Sequence, residues 1–462
     1  MVSQILVPFE GEGSGVQDLT WGQVGFWQGM VDTGQSGTMG GVTALPPGVT
    51  IDFVADSLRF VMSRHQSLRT RLRFDADGGR PRQVCSASGE APLEIVDAGD
   101  QDPAVVAEAV RLRYEERNFD YEHEWPVRMA VVRSGDVLTH AVAIYLHLAL
   151  DATAFDLLIA DLQARDPVTG APAGPITATQ PLEQARQQGT PSVRRKSDAS
   201  LKYLENVLRA ATPRRFGEPK YGDQPAFRLI RYVSPATAAA VPVIAAREGA
   251  NTSSVLLACF AVGLARCTGN SPVLTMLLVS NRFRPGFAES VSPLVQLSPY
   301  LIDVADVTLA EAVRRAEAST LNAYKNAYYD PYLQDEVIDR VGAERGEEID
   351  FSCFYNDRRV HDRGPVTTPL ATADDIRAAL PLAGYEWQYE ADMSTRKLYL
   401  NVDDPPGAIA FKMSVDTRYF NEADTIAVVR GMETVAVQAA IDPLTATGVR
   451  APTVPQRLIS VV

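Results

Sequence analysis

Residues 141–153, Ala-Val-Ala-Ile-Tyr-Leu-His-Leu-Ala-Leu-Asp-Ala-Thr, constrain the fold more than any other stretch. Ala141 to Leu146 is a short apolar run with β-branched members, the pattern of a buried strand. From Thr153 onward Phe155, Leu158, Ile159 and Leu162 recur at helical spacing, with Asp156 and Asp161 on the other side. A buried strand that passes through a short loop into an amphipathic helix is an α/β unit. His147 stands at the end of the strand, a position that can hold an imidazole rigidly while exposing its tip to a cleft. By itself it fits a hydrogen-bonded core histidine as well as a catalytic base.

The chain has 462 residues, enough for two domains with ample core. A formal net charge of -13 disfavours nucleic acid, whose phosphates need a basic face. No apolar run approaches the roughly 18 residues of a membrane span. Met1 to Glu12 has neither a basic n-region nor a long apolar core, so it does not read as a secretory signal. Cys85, Cys259, Cys267 and Cys353 are scattered without a C-x-x-C pair, which fits a reducing cytoplasm and no zinc or other metal site. The Gly11-x-Gly13-x-Gly15 cluster follows no convincing strand and has the wrong spacing for a dinucleotide turn. No G-x-S-x-G elbow, H-E-x-x-H or P-loop occurs. His140 lies seven residues back on the strand of His147, and His123 and His361 sit in charged, loop-like stretches, so none makes a rival site.

Met1 to Asp18 reads as an extended lead-in. A helix opens at Leu19 with Thr20 as N-cap. A second covers about 51–65, burying Val54, Leu58, Val61 and Met62. Strands are expected near 69–74, 81–85, 93–96 and 128–133, with a helix at 103–117. The 128–133 strand pairs with the His147 strand as a hairpin through Ser134-Gly135-Asp136. Residues 165–197, rich in Pro, Gly, Gln, Thr and Ala, read as a crossover linker with a short helix near 182–188. Arg194-Arg195-Lys196 is a small basic spot, read as solvated surface. Then come helices near 200–211, 236–247 and 253–266, strands near 227–233 and 273–279, and a capping box at Thr308-x-x-Glu311. Strands near 349–355, 385–389, 396–402 and 408–415 and a closing helix at 422–440 complete the chain. The expected organisation is a lead-in at 1–18, an N-terminal lobe at 19–175, a linker at 176–199 and a C-terminal lobe at 200–462.

Several stretches resemble one family. Leu146-His147-Leu148-Ala149-Leu150-Asp151-Ala152 resembles the His-His-x-x-x-Asp-Gly motif of nonribosomal peptide synthetase condensation domains, with Leu146 and Ala152 departing from it. Leu19-Thr20-Trp21-Gly22-Gln23-Val24-Gly25-Phe26-Trp27 resembles the opening Leu-Ser-x-Ala-Gln-x-Arg-Leu-Trp; Gly25 replaces the arginine. Arg64-His65-Gln66-Ser67-Leu68-Arg69-Thr70-Arg71-Leu72 resembles Arg-His-Glu-x-Leu-Arg-Thr-x-Phe and is the most specific match. Phe119-Asp120-Tyr121, Asn281-Arg282-Phe283-Arg284-Pro285 and the segment Ser292 to Asp303 are similar to further family segments, so the resemblance spans nearly the whole chain.

The resemblance implies an α/β fold of two chloramphenicol-acetyltransferase-like lobes in a V, with a central tunnel. It implies that His147 is the catalytic residue. It makes Asp151 structural, salt-bridged to an arginine, for which Arg282 is the first choice and Arg69 the second; His65 would anchor a turn. Leu146, Ala152, Gln296, Leu297, Ser298 and Trp387 would line the tunnel. If position 152 needs a positive φ, alanine there costs roughly 1 kcal/mol. The implied activity is that of a stand-alone acyltransferase of secondary metabolism, with no intrinsic cofactor and no adenylation or carrier domain of its own. It would join an acyl group, tethered through phosphopantetheine to an acyl or peptidyl carrier protein or carried as acyl-CoA, to a small-molecule amine or alcohol. Nucleic acid and membrane are not expected partners. The altered motif leaves open a non-catalytic recruitment protein, or another reaction on a tethered substrate.

Overall fold

Alternating burial sets the sheets, and the sheets set the site. The computed structural model describes residues 2–75, 79–166, 169–212, 216–222, 227–359, 369–389 and 396–451. His361 lies outside the described residues. Contacts group Met1–Ser197, Ser280–Gln296 and Tyr328–Tyr332 into one unit, and Asp198–Val279, Leu297–Ala327 and Leu333–Val462 into a second.

In chain order the first unit holds β1 (Val2–Glu10), β2 (Gly15–Asp18), α1 (Trp21–Thr33), β3 (Thr38–Ala44), α2 (Ile51–Arg64), β4 (Thr70–Arg73) and β5 (Arg82–Cys85). It continues through β6 (Ser88–Asp97), α3 (Pro103–Glu116), β7 (Val127–Ser134), β8 (Val137–Leu146), α4 (Ala152–Gln163), α5 (Pro181–Gln188) and the start of α6 (Pro191–Ala210). Five strands form one sheet in the order β1-β6-β7-β8-β3, and β2-β5-β4 form a smaller one. Only β6 and β7 run parallel in the larger sheet; β7 and β8 are the expected hairpin. One face packs Val54, Leu58, Val61 and Met62 of α2 and Leu158 of α4 against Val7, Phe9, Leu93 and Val131. The other packs Ala107, Val110 and Tyr114 of α3 against Ala130, Val132, Val142 and Ile144.

Three expectations are corrected here. The lead-in is paired: β1 runs antiparallel to β6 from Val2↔Val96 to Glu10↔Ser88, and β2 pairs β5. Most of the expected linker at 176–199 is helical, as α5 and the first turns of α6. Residues 280–296 and 328–332, expected in the C-terminal lobe, group with the first unit because their buried side chains and carbonyls bond there.

The second unit continues with β9 (Phe227–Ser234), α7 (Pro235–Glu248), α8 (Thr252–Thr268), β10 (Val273–Val279), β11 (Gln296–Ile302), α9 (Leu309–Lys325), α10 (Pro331–Arg345) and β12 (Cys353–Asp357). It ends with α11 (Ala373–Ala379), β13 (Gly384–Tyr389), β14 (Leu398–Asp403), β15 (Ile409–Asp416) and α12 (Glu422–Ile441). Its sheet order is β11-β10-β12-β14-β15-β9-β13, parallel through β10, β12 and β14 and antiparallel beyond. The residues of α8 from Val255 to Ala265 are buried on every face, as the central helix of a core must be. Among the described residues no single helix is long and apolar enough to cross a membrane; α7 and α8 pass that test only as a pair bent by 111°. The capping box at Thr308 is half made. Glu311 N donates to Thr308 Oγ1, while the Glu311 carboxylate turns away to Arg314 and Arg315.

Asp161, on the polar side of the α4 pattern, forms a lock between α2 and α4. Arg64 donates to both its oxygens, at 2.8 and 3.0 Å, and His65 Nε2 stands 3.0 Å from Oδ2. Burial alone would raise the Asp161 carboxyl, but the His65 and Arg64 hydrogen bonds outweigh it and hold the group at about 2. An unfolded aspartate titrates near 3.9. The lock's contribution is therefore complete above about pH 4 and is lost as pH falls toward 2. Urea unfolding between pH 5 and pH 2 is expected to show Asp161→Asn narrowing its stability gap to the parent by on the order of 2 kcal/mol. A gap that stays constant over that range would count against the lock.

Candidate functional site

His147 follows the last residue of β8, and its own backbone N–H donates to the Gly37 carbonyl at 2.9 Å, prolonging the pairing with β3. Its neighbour Leu146 turns to the opposite face, as strand alternation requires. There it is buried with Leu19, Val24, Met30, Leu72, Phe119 and Leu148. The chain then makes a tight turn, with Ala149 N–H donating to the Leu146 carbonyl. The turn brings the Leu150 carbonyl to 2.7 Å from His147 Nδ1. A carbonyl oxygen only accepts, so Nδ1 carries the proton in this hydrogen bond, and the lone pair of the neutral ring belongs to Nε2. The imidazole is partly buried and stacks on Phe26 of α1, with ring centroids 4.0 Å apart and 22° between planes.

Asp151 closes the turn as N-cap of α4, its Oδ1 accepting from Ala154 N–H at 2.7 Å. It is 1% exposed. Oδ1 also accepts from Arg282 Nη2 at 2.6 Å, and Oδ2 accepts from Leu294 N–H at 2.9 Å. The same guanidinium donates to the carbonyls of Ser290 and Ser292 at 2.6 and 3.1 Å. Asn281 just before it adopts φ 57, a left-handed conformation that asparagine tolerates better than most side chains. Its Nδ2 donates to the Leu294 carbonyl at 3.1 Å, folding 280–296 back on itself. Asp151 and Arg282 thus tie that segment to the start of α4 beside His147.

Arg69 is elsewhere. It is fully buried and donates to the backbone carbonyls of Gly13, Ser86 and Glu12, so its partners are a loop's orphan acceptors and not a carboxylate. Ala152 is the first residue of α4, exposed, and not among the positive-φ positions, so alanine carries no backbone strain there. Gln296 is buried in the first unit with Nε2 donating to the Tyr329 carbonyl at 2.8 Å. Ser298 is fully buried in the second unit, its hydroxyl donating to the Ala323 carbonyl at 2.8 Å. Both side chains are held in the interior by these bonds and do not present as exposed wall. Leu297 and Trp387 are partly exposed in the second unit. Trp387, on β13, lines a cavity of about 530 Å³ with Tyr221, Arg228, Val415 and Phe420. The basic spot is exposed, with Arg194 paired to Asp330 at 2.6 Å. Among the described residues no cluster of His, Cys, Asp or Glu has the makings of a metal site.

The helix that brings Phe26 to His147 is specified at its start. Thr20 and Gln23 form a reciprocal capping box, Gln23 N–H donating to Thr20 Oγ1 and Thr20 N–H to Gln23 Oε1. Gly22 lies so close to the Pro293 carbonyl that a Cβ would overlap backbone, whereas a Cβ at Gly25 would meet nothing within 4 Å. Gly22→Ala is expected to destabilise by about 1–3 kcal/mol through overpacking. Gly25→Ala, relieved of glycine's helix penalty, should stabilise by up to about 1 kcal/mol. Chemical denaturation of the two variants decides this, and equal signs would refute the contact with Pro293. Sequence reasoning passed over Phe26, Gly37 and the Leu150 carbonyl. Only the aromatic in the first helix left a trace that could have been followed.

The chain is similar to known proteins over most of its length. The family model for the condensation domain matches residues 15–446. The phosphinothricin tripeptide synthetase PhsC of Streptomyces viridochromogenes is 30% identical over 273 residues, covering 54% of this chain and 25% of that protein. The chain spans a quarter or less of the length of the curated relatives it matches. Among solved structures, the condensation domain that mediates chain release from the enacyloxin polyketide synthase superposes with a TM-score of 0.69 at 20% identity, covering 97% of this chain and 86% of that one. The X-domain solved in complex with OxyB from teicoplanin biosynthesis gives 0.69 at 17% identity, covering 95% and 96%.

Proposed function

The chain belongs to the condensation-domain family, and from that premise we propose that it transfers an acyl group from a thioester to an amine or alcohol with His147 as proton acceptor. Condensation domains of secondary-metabolite synthetases have the chloramphenicol-acetyltransferase-like α/β fold. They are in general amide-bond-forming acyltransferases acting on phosphopantetheine-tethered substrates. The donor here would be such a tethered acyl group on a carrier protein, or an acyl-CoA. The observation that carries the reading is the 2.7 Å hydrogen bond from His147 Nδ1–H to the Leu150 carbonyl, which keeps the basic lone pair on Nε2.

In the proposed step the nucleophile's nitrogen or oxygen attacks the thioester carbonyl while its proton passes to Nε2. The tetrahedral intermediate collapses, the C–S bond breaks, and the imidazolium returns the proton to the departing thiolate. The bond formed is an amide or an ester and the other product is a thiol. Where the nucleophile is an already unprotonated amine, the same imidazole orients it or hydrogen-bonds the intermediate. Asp151 takes no proton in this scheme; with Arg282, Leu294 and Ala154 on its oxygens it holds the turn that aims His147.

A second reading, recruitment of a partner enzyme without chemistry, is favoured by the likeness to the X-domain captured with OxyB and by the altered motif at Leu146 and Ala152. Gene deletion in the source strain, complemented with parent or His147→Ala, separates the two. Metabolite profiles by mass spectrometry that match the deletion, with the variant folded and expressed, support acyl transfer, and the accumulated precursor identifies the donor or acceptor. Full restoration of product by His147→Ala would reject catalysis by His147 and leave recruitment.

A further inference from the structure

We propose that the cavity beside Trp387 binds an aromatic carboxylate, with Arg228 holding the acid group and aromatic side chains walling the ligand's ring. Every residue that lines this cavity belongs to the second unit, whereas His147, Asp151 and Arg282 belong to the first. The proposal therefore stands independently of acyl transfer by His147.

The sheet builds the cavity. Arg228 on β9 lies opposite Val415 on β15, and Ile230 lies opposite both Trp387 on β13 and Met413 on β15. Directly paired residues share a face, and alternation along β9 puts Arg228 on the face of Ile230. On that face Ile230 and Met413 are buried in the core that the sheet shares with α7, α8 and α12. The cavity opens at the end of this core, where Asn421, Glu422 and Thr425 at the start of α12 line it. Its volume of about 530 Å³ suits a small molecule. Its walls are apolar and held in place. Phe420 is buried and packs edge-on against Phe216 at 5.2 Å, and the Tyr221 hydroxyl donates to Asp424 Oδ2 at 2.8 Å.

Charge selects the ligand. Among the described residues Arg228 and Glu422 are the charged groups that line the cavity, and they form an ion pair. The guanidinium also lies over the Trp387 ring, 5.8 Å from its centroid. A carboxylate and an aromatic face are what would attract a cation, and Arg228 already takes both. An anion meets the reverse. A guanidinium has five N–H donors, and among the described residues those of Arg228 meet one carboxylate oxygen, Glu422 Oε1. The rest of the planar fork suits a carboxylate. Asn421 adds a donor: its Oδ1 accepts from Asp424 N–H at 2.8 Å, and its Nδ2 has no partner among the described residues. An aromatic acid matches the walls and the donors together.

The test is fluorine NMR of the full chain labelled with 5-fluorotryptophan. The chain has four tryptophans, and the Trp387 signal is assigned by its loss in Trp387→Phe. Indole-3-carboxylate is expected to shift that signal saturably, with half-saturation below about 2 mM, while the signals of Trp21, Trp27 and Trp125 stay in place. Indole-3-carboxamide, of the same shape and uncharged, should bind about tenfold more weakly. Arg228→Met should weaken the carboxylate by about tenfold, and Glu422→Gln, which frees the guanidinium, should leave its affinity equal or tighter. If Arg228→Met melts early, Arg228→Gln replaces it. A Trp387 signal that does not move, or an amide that binds as tightly as the acid, would overturn the proposal. So would a Glu422→Gln protein that loses the ligand while the Arg228 variant keeps it.

Discussion

Turnover by the His147→Ala protein is expected to fall by about 10²–10⁴-fold, the range a positioned general base contributes. Its stability should change by only about 1 kcal/mol. The substitution removes from the fold the hydrogen bond to the Leu150 carbonyl and the stacked face on Phe26, among other contacts of a position that is only partly buried. The backbone bond from residue 147 to Gly37 survives any side chain. The strand end and the turn therefore stay in place while the proton acceptor is lost. Product formation per folded protein, read beside a urea unfolding curve, checks both halves. A variant keeping a third or more of parental turnover would move the chemistry away from this imidazole. One losing several kcal/mol would make His147 a core residue.

Asp151→Ala is expected to do the opposite, lowering stability by about 3–5 kcal/mol and soluble yield with it. The carboxylate is buried and accepts three hydrogen bonds, from Arg282, Leu294 and Ala154. Its removal leaves a guanidinium buried without its counter-charge, and α4 without its cap. Arg282→Met should cost a similar amount, because it strands the carboxylate. The double variant should lose clearly less than the sum of the two, since neither charge is then left alone. Urea midpoints measured with unchanged m-values give all three numbers. Strict additivity, or an Asp151→Ala protein within 1 kcal/mol of the parent, would show that the pair is not what holds the turn.

Much of this site is legible in the sequence, and the limits have physical causes. The strand, the histidine at its end and the helix after it are local features, and an apolar run followed by 3.6-residue spacing reports them without knowledge of the rest. β1 escaped because the glycines at 11–15 dominate the reading of the first residues, although Val7 and Phe9 alternate inward. β3 escaped because Gly40 and Gly41 are poor strand formers; its backbone bonds to β8 make it a strand. The partners of Arg69, the second choice for Asp151, and of Asp161, placed only on the polar side of its helix, were out of reach for one reason. A local pattern shows that a charge must be satisfied but not whether a carboxylate or a row of carbonyls satisfies it. Phe26 lies 121 residues before His147 in sequence, and only the docking of α1 brings the rings together.

The segment 280–296 has a consequence for how the protein is made. The guanidinium that neutralises Asp151 is encoded 131 residues downstream of it, and Tyr328–Tyr332 of the same unit follow later still. On a ribosome, where the chain emerges N-terminus first, residues 1–197 are exposed long before the parts that finish their core have been synthesised. The Asp151 carboxylate lacks its counter-charge until about three fifths of the 462 residues have been translated, and the first unit stays unfinished until nearly three quarters have. A gene cut at the apparent boundary near residue 198 would divide this unit between two polypeptides.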